Sequence, residues 1–220
     1  MQSRHIQQAT LFTALRRCHF FAAITLLLLA SPALAATRIL AFGDSLTAGF
    51  GLAPDQAFPE RLAARLKADG YDVTVANGGV SGDTTADGVA RLDWAMADHP
   101  EIVLLELGAN DMLRGIDPGV TEKNLTAILT QLRAAPAKVL LIGMKAPVNW
   151  GPDYEHAFDA IYPGLAKRFD VPLYPFFLDG VALDPKLNQG DGLHPNAAGV
   201  DIIVDRIVPA VERLIGKGAS

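Results

Sequence analysis

The chain has 220 residues with 24 acidic and 19 basic side chains, which gives a formal net charge of −5 at pH 7. A mildly acidic chain of this kind is unlike a nucleic-acid-binding protein and has no electrostatic attraction to anionic membrane surfaces. Half of its residues are hydrophobic and only one is a cysteine, so we expect a globular domain that depends on its apolar core rather than on disulfide bonds.

The amino-terminal segment has a basic flank without acids, formed by Arg4, Arg16 and Arg17. An apolar run over 20–30 follows, and then a stretch of small residues that includes Ala35. This order predicts a signal peptide over 1–35 that is cleaved after Ala35, because the apolar run is too short to span a bilayer. We therefore expect one exported domain over 36–220, periplasmic or secreted, without a membrane anchor. Loss of three arginines would lower its formal charge to −8.

The first predicted strand covers 39–42, where four apolar residues indicate a strand buried on both faces of a sheet. Gly43 marks its end. Ser45 therefore follows the carboxyl end of a core strand, which is where open α/β sheets bind ligands. A serine hydroxyl there can attack a carbonyl carbon only if a base takes its proton and donors stabilise the oxyanion.

Strand-like and helix-like patterns then alternate along the chain. Further strands are predicted at 71–77, 102–107, 139–142 and 171–174. Amphipathic helices are predicted around 58–66, 84–99, 125–132, 158–165 and 196–215, with a long loop over 145–154. Such alternation predicts a three-layer α/β/α fold with a five-stranded parallel sheet. Polar alternation in the second strand and Pro172 in the fifth place these two at the edges, which favours the flavodoxin-like order 2-1-3-4-5.

The candidate general base is a histidine. His99 and His156 occupy polar positions and are predicted to be solvated. His194 lies between the last strand and the last helix, three residues after Asp191, and glycines on both sides of Asp191 let the carboxylate reach the imidazole ring. An acid bonded to one ring nitrogen orients the imidazole and stabilises its charged form. The alternative is a turn that leads to the helix cap Asn196 and contains the histidine by chance.

Candidate oxyanion donors follow two other strands. The glycine-rich turn over 77–84 exposes backbone N–H groups, and the amide of Asn110 can donate without titrating. Glu106 interrupts the third strand and is predicted to be a hydrogen-bonded structural acid. The nucleophile elbow of α/β-hydrolases does not fit, because Thr47 replaces its second glycine. No cluster of histidines, cysteines and acids has metal-ligand spacing in the sequence, so no metal is expected.

Four blocks of this sequence together resemble the SGNH (GDSL) hydrolases over essentially all of 36–220: residues 43–46, Gly82, residues 108–111 and residues 191–194. The resemblance implies that Ser45 is the nucleophile and His194 the general base, oriented by Asp191. It also implies that an oxyanion hole is formed by the N–H groups of Ser45 and Gly82 and the amide of Asn110. Ala109 departs from the glycine found in similar members of the family.

The resemblance implies a serine esterase without a cofactor that hydrolyses carboxylic esters and thioesters of small molecules, such as acyl-CoA, lysophospholipids and aryl esters. Six residues after the third and fourth strands are predicted to line an apolar acyl groove: Met112, Leu113, Ile116, Pro147, Val148 and Trp150. A carbohydrate O-acetylesterase of the same fold, a non-catalytic binding domain and a flavin-binding protein with this strand order remain alternatives.

Overall fold

A computed structural model describes residues 36–216 of the chain. The predicted signal peptide over 1–35 lies outside these residues. Among the described residues, no helix has the length and apolar character needed to cross a membrane.

Five parallel strands form one sheet in the order β2-β1-β3-β4-β5, which confirms the predicted fold and strand order. The strands are β1 (Thr37–Gly43), β2 (Val73–Gly79), β3 (Ile102–Glu106), β4 (Lys138–Ile142) and β5 (Leu173–Tyr174). All five residues of β3 are buried, whereas β2 alternates and β5 is only partly buried. Burial on both faces thus explains the continuous apolar runs of the central strands.

Eight α-helices of the described chain connect or follow these strands. They are α1 (Ser45–Ala48), α2 (Phe58–Ala68), α3 (Thr85–Ala95), α4 (Ala109–Leu113), α5 (Pro118–Arg133), α6 (Pro152–Asp159), α7 (Ile161–Phe169) and α8 (Ala197–Ile215). Helix α2 packs against α8, and α5 packs against both α3 and α7. The apolar stripes of these helices therefore close the core over the sheet.

Several predicted elements have different bounds in the structure. The helix predicted over 84–99 begins after the capping residue Thr84 but already ends at Ala95. The predicted loop over 145–154 ends early, because a short 3₁₀ turn at Val148–Trp150 leads into α6 at Pro152. Proline favours the first position of a helix, where its missing N–H costs nothing.

The helix predicted around 158–165 is two helices, α6 and α7, which meet at Ala160. Pro163 follows three residues later and has no N–H to donate to the carbonyl of Asp159. The missing bond interrupts the helical ladder at this point. Phe158, Ile161 and Leu165 are nevertheless all buried, so the predicted apolar face is retained.

Candidate active site

Ser45 lies at the sharp connection between β1 and α1, where it is partly accessible to solvent. Asp44 precedes it and caps the helix, because its carboxylate accepts a hydrogen bond from the N–H of Leu46. Gly43 is required at the end of the strand, since a Cβ atom there would come within 2.1 Å of the Thr47 hydroxyl. The residues around Ser45 thus hold its hydroxyl at the carboxyl edge of the sheet.

His194 and Asp191 reach Ser45 from the loop before α8. The Nε2 atom of His194 is 2.9 Å from the Ser45 hydroxyl, and its Nδ1 atom is 2.6 Å from a carboxylate oxygen of Asp191. Ser45 and His194 are 149 residues apart in sequence, so only the fold brings them together. The ring of Phe50 packs on the imidazole with 4.7 Å between ring centroids.

The turn containing Asp191 is stabilised by its own backbone. One carboxylate oxygen of Asp191 accepts hydrogen bonds from the N–H groups of His194 (3.0 Å) and Leu193 (2.9 Å), and the other faces the imidazole. These backbone N–H donors, followed by the imidazole, lower the pKa of Asp191 to about 2. Asp191 is therefore ionised at neutral pH, and Nδ1–H of a neutral imidazole donates to it, which leaves Nε2 to accept the serine proton.

The predicted oxyanion donors lie on the other side of Ser45. Nδ2 of Asn110, in the first turn of α4, lies 3.2 Å from a carboxylate oxygen of Asp44 and 3.0 Å from the carbonyl oxygen of Asp83, and donates to both. Gly82 has a φ of +89°, a left-handed backbone that favours glycine. Arg114 donates a 2.7 Å hydrogen bond to the carbonyl of Gly82 and so joins this loop to the end of α4.

Arg91 on helix α3 fastens the loop after β2. Its guanidinium donates to the carbonyls of Gly43 (2.7 Å) and Gly78 (2.8 Å) and forms a 2.5 Å ion pair with Asp83. The side chains of both partners of this ion pair are largely buried, with 17% and 13% exposed. One side chain thus connects the ends of β1 and β2 to the segment that carries Gly82.

Two buried carboxyl groups pack against α1. Asp44 and Glu106 are 0% and 1% exposed. One oxygen of Glu106 accepts hydrogen bonds from the hydroxyl of Thr47 (2.7 Å) and the N–H of Asp44 (3.4 Å). Burial raises the pKa of Asp44 to about 6, and burial together with the nearby charge of Asp44 raises the pKa of Glu106 well above its usual value.

The prediction that Glu106 is a fully hydrogen-bonded acid holds for only one of its oxygens. Its Oε1 atom is buried without a hydrogen-bond partner. An ionised carboxylate with an unpaired buried oxygen is costly, so the neutral form of Glu106 is favoured. Glu106 is therefore the acid of this pair that favours the protonated form, and Asp44, with a pKa of about 6, is mostly ionised at neutral pH.

A cavity of about 680 Å³ opens beside Ser45 and His194. Gly82 and Asn110 line it, as do three of the six predicted groove residues, Met112, Leu113 and Pro147. Ile116, Val148 and Trp150 do not line it. Trp150 instead stacks on Tyr154, with 5.6 Å between ring centroids, and the Tyr154 hydroxyl donates to the carbonyl of Ile116.

Most of the remaining lining is apolar and was not predicted from the sequence. It comes from the loops after β1, β4 and β5 and includes Phe50, Met144, Ala146, Phe176, Leu178, Leu183 and Leu193. Leu183 stands out, because it is 92% exposed and has a left-handed φ of 65°. An isolated apolar residue in a loop, without periodicity, gives no sequence signal that it faces a cavity.

Comparison with known proteins identifies the family. The profile of the GDSL-like Lipase/Acylhydrolase family matches residues 41–202, which span all four sequence blocks and the cavity described above. This chain is a GDSL hydrolase. It is 43% identical over 191 residues to thioesterase 1/protease 1/lysophospholipase L1 of Escherichia coli (strain K12), which covers 86% of this chain and 90% of that protein.

Solved structures agree with this assignment. The crystal structure of TesA matches 80% of this chain and 99% of its own chain at 40% identity, with a TM-score of 0.77. That of AlinE4, an SGNH-hydrolase family esterase, matches 84% of this chain and 100% of its own at 43% identity, with a TM-score of 0.70. As a member of the GDSL family, the chain is an ester-hydrolysing enzyme.

Ala109 is a position where the sequence of this GDSL hydrolase departs from the expected block. It is the first residue of α4 and is buried at the cavity wall, directly after Gly108, whose φ is 120°. Because Ala109 itself has a helical backbone, its methyl group requires no strained conformation. The left-handed residue that needs glycine is Gly108, where a Cβ atom would lie 2.3 Å from the Tyr162 hydroxyl.

Proposed function

We propose that this GDSL hydrolase cleaves carboxylic esters and thioesters through a covalent acyl-serine intermediate. His194 takes the proton of Ser45 as the hydroxyl oxygen attacks the carbonyl carbon, and the resulting imidazolium is stabilised by Asp191. The tetrahedral intermediate collapses when His194 returns the proton to the leaving alcohol or thiol. Water then attacks the acyl-serine by the same steps and releases the carboxylic acid.

The observation that carries the proposal is the chain of two hydrogen bonds from Ser45 through His194 to Asp191, at 2.9 and 2.6 Å. It ends at the mouth of the cavity, so a bound carbonyl group can reach the hydroxyl. Oxyanion stabilisation is assigned to the N–H groups of Ser45 and Gly82 and to the amide of Asn110, all three of which line the same cavity.

The lining of the cavity favours an acyl chain over a sugar as the main recognition element. Phe50, Met112, Leu113, Phe176 and Leu178 present apolar surface. About 680 Å³ is within the usual range for pockets that enclose a small ligand, and burial of each methylene of an acyl chain contributes about 0.8 kcal/mol. Aryl esters, acyl thioesters and lysophospholipids all offer an apolar portion of this kind.

A fluorophosphonate probe tests the nucleophile directly. We expect mass spectrometry to find the label on Ser45 and to find none in Ser45→Ala, whose turnover of p-nitrophenyl esters should fall by several powers of ten. Ser81 lines the same cavity without contacting His194, so Ser81→Ala is the matched control and should still be labelled. A Ser45→Ala protein with near-normal turnover would overturn the mechanism.

The chain-length dependence of activity tests the acyl assignment. We expect kcat/KM on p-nitrophenyl esters to rise from acetyl to octanoyl, because each added methylene enters apolar surroundings. A flat profile with preference for acetylated sugars would instead indicate a carbohydrate O-acetylesterase of the same fold. Acyl-CoA and lysophospholipid hydrolysis, measured in parallel, then rank the leaving groups.

We also propose that residues 1–35 are a signal peptide that directs export. The support is the sequence order of a basic flank, an apolar run and a small-residue site. Expression of the full chain followed by amino-terminal sequencing of the exported protein should find Ala36 as the first residue. An unprocessed chain retained inside the cell would contradict the proposal.

A further inference from the structure

Asp44 belongs to the sequence block that carries the nucleophile, yet the proposed mechanism gives it no task. It is completely buried, although burial of a carboxylate is costly. Its Oδ1 atom caps α1 by accepting from the N–H of Leu46 at 3.0 Å. Serine or asparagine would cap the helix equally well without burying a charge, so the cap alone does not account for an acid at this position.

The second carboxylate oxygen of Asp44 suggests the missing task. Oδ2 accepts a hydrogen bond from Nδ2 of Asn110 at 3.2 Å, across 66 residues of sequence. The other acceptor of this amide nitrogen is the carbonyl oxygen of Asp83, at 3.0 Å. An ionised carboxylate and a carbonyl can only accept, so both partners require the nitrogen of the Asn110 amide, and not its oxygen, on this side.

We infer that Asp44 is a positioning residue for the oxyanion hole: its Oδ2 atom fixes the Asn110 amide with the nitrogen toward the cavity. This inference rests on the proposed role of Asn110 in the hole. When the oxyanion forms, it takes the hydrogen that Asn110 now donates to the neutral carbonyl of Asp83. The charge-assisted bond to Asp44 is the stronger of the two and is kept.

The neighbouring acid supports the charge state that this role requires. One carboxylate oxygen of Glu106 accepts a hydrogen bond from the backbone N–H of Asp44 at 3.4 Å. The neutral form of Glu106 is favoured because its Oε1 atom is buried without a hydrogen-bond partner, whereas both oxygens of Asp44 accept hydrogen bonds, so Asp44 is the acid of the pair that carries the charge.

The substitution Asp44→Asn separates the two tasks of the carboxylate. Asparagine has one side-chain oxygen, so it can accept from Leu46 or from Asn110 but not from both. If its oxygen keeps the helix cap, its amino group faces the amide of Asn110 and favours the flipped orientation, which presents an acceptor to the hole. We expect kcat to fall by about 10- to 100-fold with KM within about twofold, because the hole acts on the transition state.

A double-mutant cycle distinguishes positioning from a general structural role. In the Asn110→Ala background there is no amide left to orient, so Asp44→Asn should change kcat by less than about threefold. Asp117 also caps a helix, by accepting from the N–H of Gly119 at 2.8 Å, and it is exposed. Asp117→Asn is therefore the matched control and should keep the wild-type kcat. If Asp44→Asn does not fold, Asp44→Ser keeps a capping oxygen and enters the same cycle.

The possible results distinguish a failure of the positioning role of Asp44 from a failure of the proposed function. Equal losses from Asp44→Asn in both backgrounds, or no loss in either, would overturn the positioning role and leave the proposed esterase mechanism intact. A wild-type kcat in Asn110→Ala would overturn the assignment of Asn110 to the oxyanion hole and the positioning role with it. Loss in the wild-type background alone supports the inference.

Discussion

Two aspartates belong to the candidate site around Ser45, and their surroundings shift their pKa values in opposite directions. Asp191 lies in a turn with 38% of its side chain exposed, and backbone N–H donors lower its pKa to about 2. Asp44 is fully buried beside a second acid, and desolvation raises its pKa to about 6. Both are ionised at neutral pH, but the donors to Asp191 outweigh its desolvation, whereas the hydrogen bonds that Asp44 accepts from Leu46 and Asn110 do not.

The difference shows how one residue type acquires two tasks from its environment. Asp191 receives hydrogen bonds from its own turn, which stabilise its charge, and in the proposed mechanism this charge stabilises His194 when the imidazole becomes positive. Asp44 is fully buried next to Glu106, and its two oxygens accept hydrogen bonds from Leu46 and Asn110. The acid–base side of the site is therefore built within one loop, whereas the oxyanion side is assembled from segments that follow three strands, and only Asp44 among its residues is fully buried.

The largest expected effect is on the acid–base side. Asp191→Asn should lower kcat by about 10⁴-fold, because an amide in place of the carboxylate no longer selects the tautomer with Nδ1–H or stabilises the imidazolium. Steady-state kinetics on p-nitrophenyl butyrate measure the loss, with Asp153→Asn, an exposed residue of α6, as the control. A loss below tenfold would mean that Asp191 is not the orienting acid.

Removal of a whole side chain on the oxyanion side should cost less activity than the Asp191→Asn substitution. Asn110→Ala is expected to lower kcat by about 10²- to 10³-fold, because the N–H groups of Ser45 and Gly82 remain as donors. KM should change much less than kcat, since the lost bond forms mainly in the transition state. The same assay measures both parameters, and a loss that appeared only in KM would place Asn110 in ground-state binding instead.

Substitution of Glu106 should change the pH dependence of stability rather than the activity. Its folded pKa is raised, so the folded chain keeps a proton that the unfolded chain releases above about pH 4.5. The stability linked to this proton is complete below that pH and is lost as pH rises, by up to about 1.4 kcal/mol per pH unit. Glu106→Gln cannot titrate, so its free energy of unfolding should decline less between pH 5 and 8.

Urea unfolding at several pH values measures this difference. Glu122→Gln, at an exposed position on α5, serves as the control and should keep the wild-type pH dependence. Asp44 also lowers the free energy of unfolding as pH rises, but this decline ends near pH 6, because the pKa of Asp44 in the folded chain is about 6. The comparison between wild type and Glu106→Gln is therefore clearest from pH 6 to 8. Parallel curves for wild type and Glu106→Gln in that range would contradict the assigned proton.

The smallest effect is expected at the cavity rim. Leu183→Asn removes an exposed apolar side chain that lines the cavity, and asparagine is more readily accommodated than leucine at a left-handed φ. We expect KM for octanoyl esters to rise about three- to tenfold with kcat and acetyl ester hydrolysis unchanged. A rise of equal size for acetyl esters would show that Leu183 does not contact the acyl chain.

Patterns in the amino-acid sequence were enough to predict the strand order and the block that carries each polar group of the candidate site. The runs at 39–42 and 102–107 are apolar because their strands are buried on both faces, and Pro172 and the alternation after Tyr71 belong to edges. Ser45, Asn110 and His194 each follow the strand or precede the helix that the pattern predicts. The local sequence was therefore enough to predict a candidate site residue where its role depends on its position in a strand or helix.

Contacts between groups that are distant in sequence could not be predicted, because they depend on how the whole chain packs. The hydrogen bond between Asp44 and Asn110 joins two segments that are far apart in sequence. The cavity walls formed by Phe50 and Leu183 also come from distant segments, and the unpaired oxygen of Glu106 is visible only in the packed structure. Sequence periodicity reports which face of an element is buried, but not which atoms it meets there. Trp150 illustrates the limit, because the pattern placed it at the cavity and packing placed it against Tyr154.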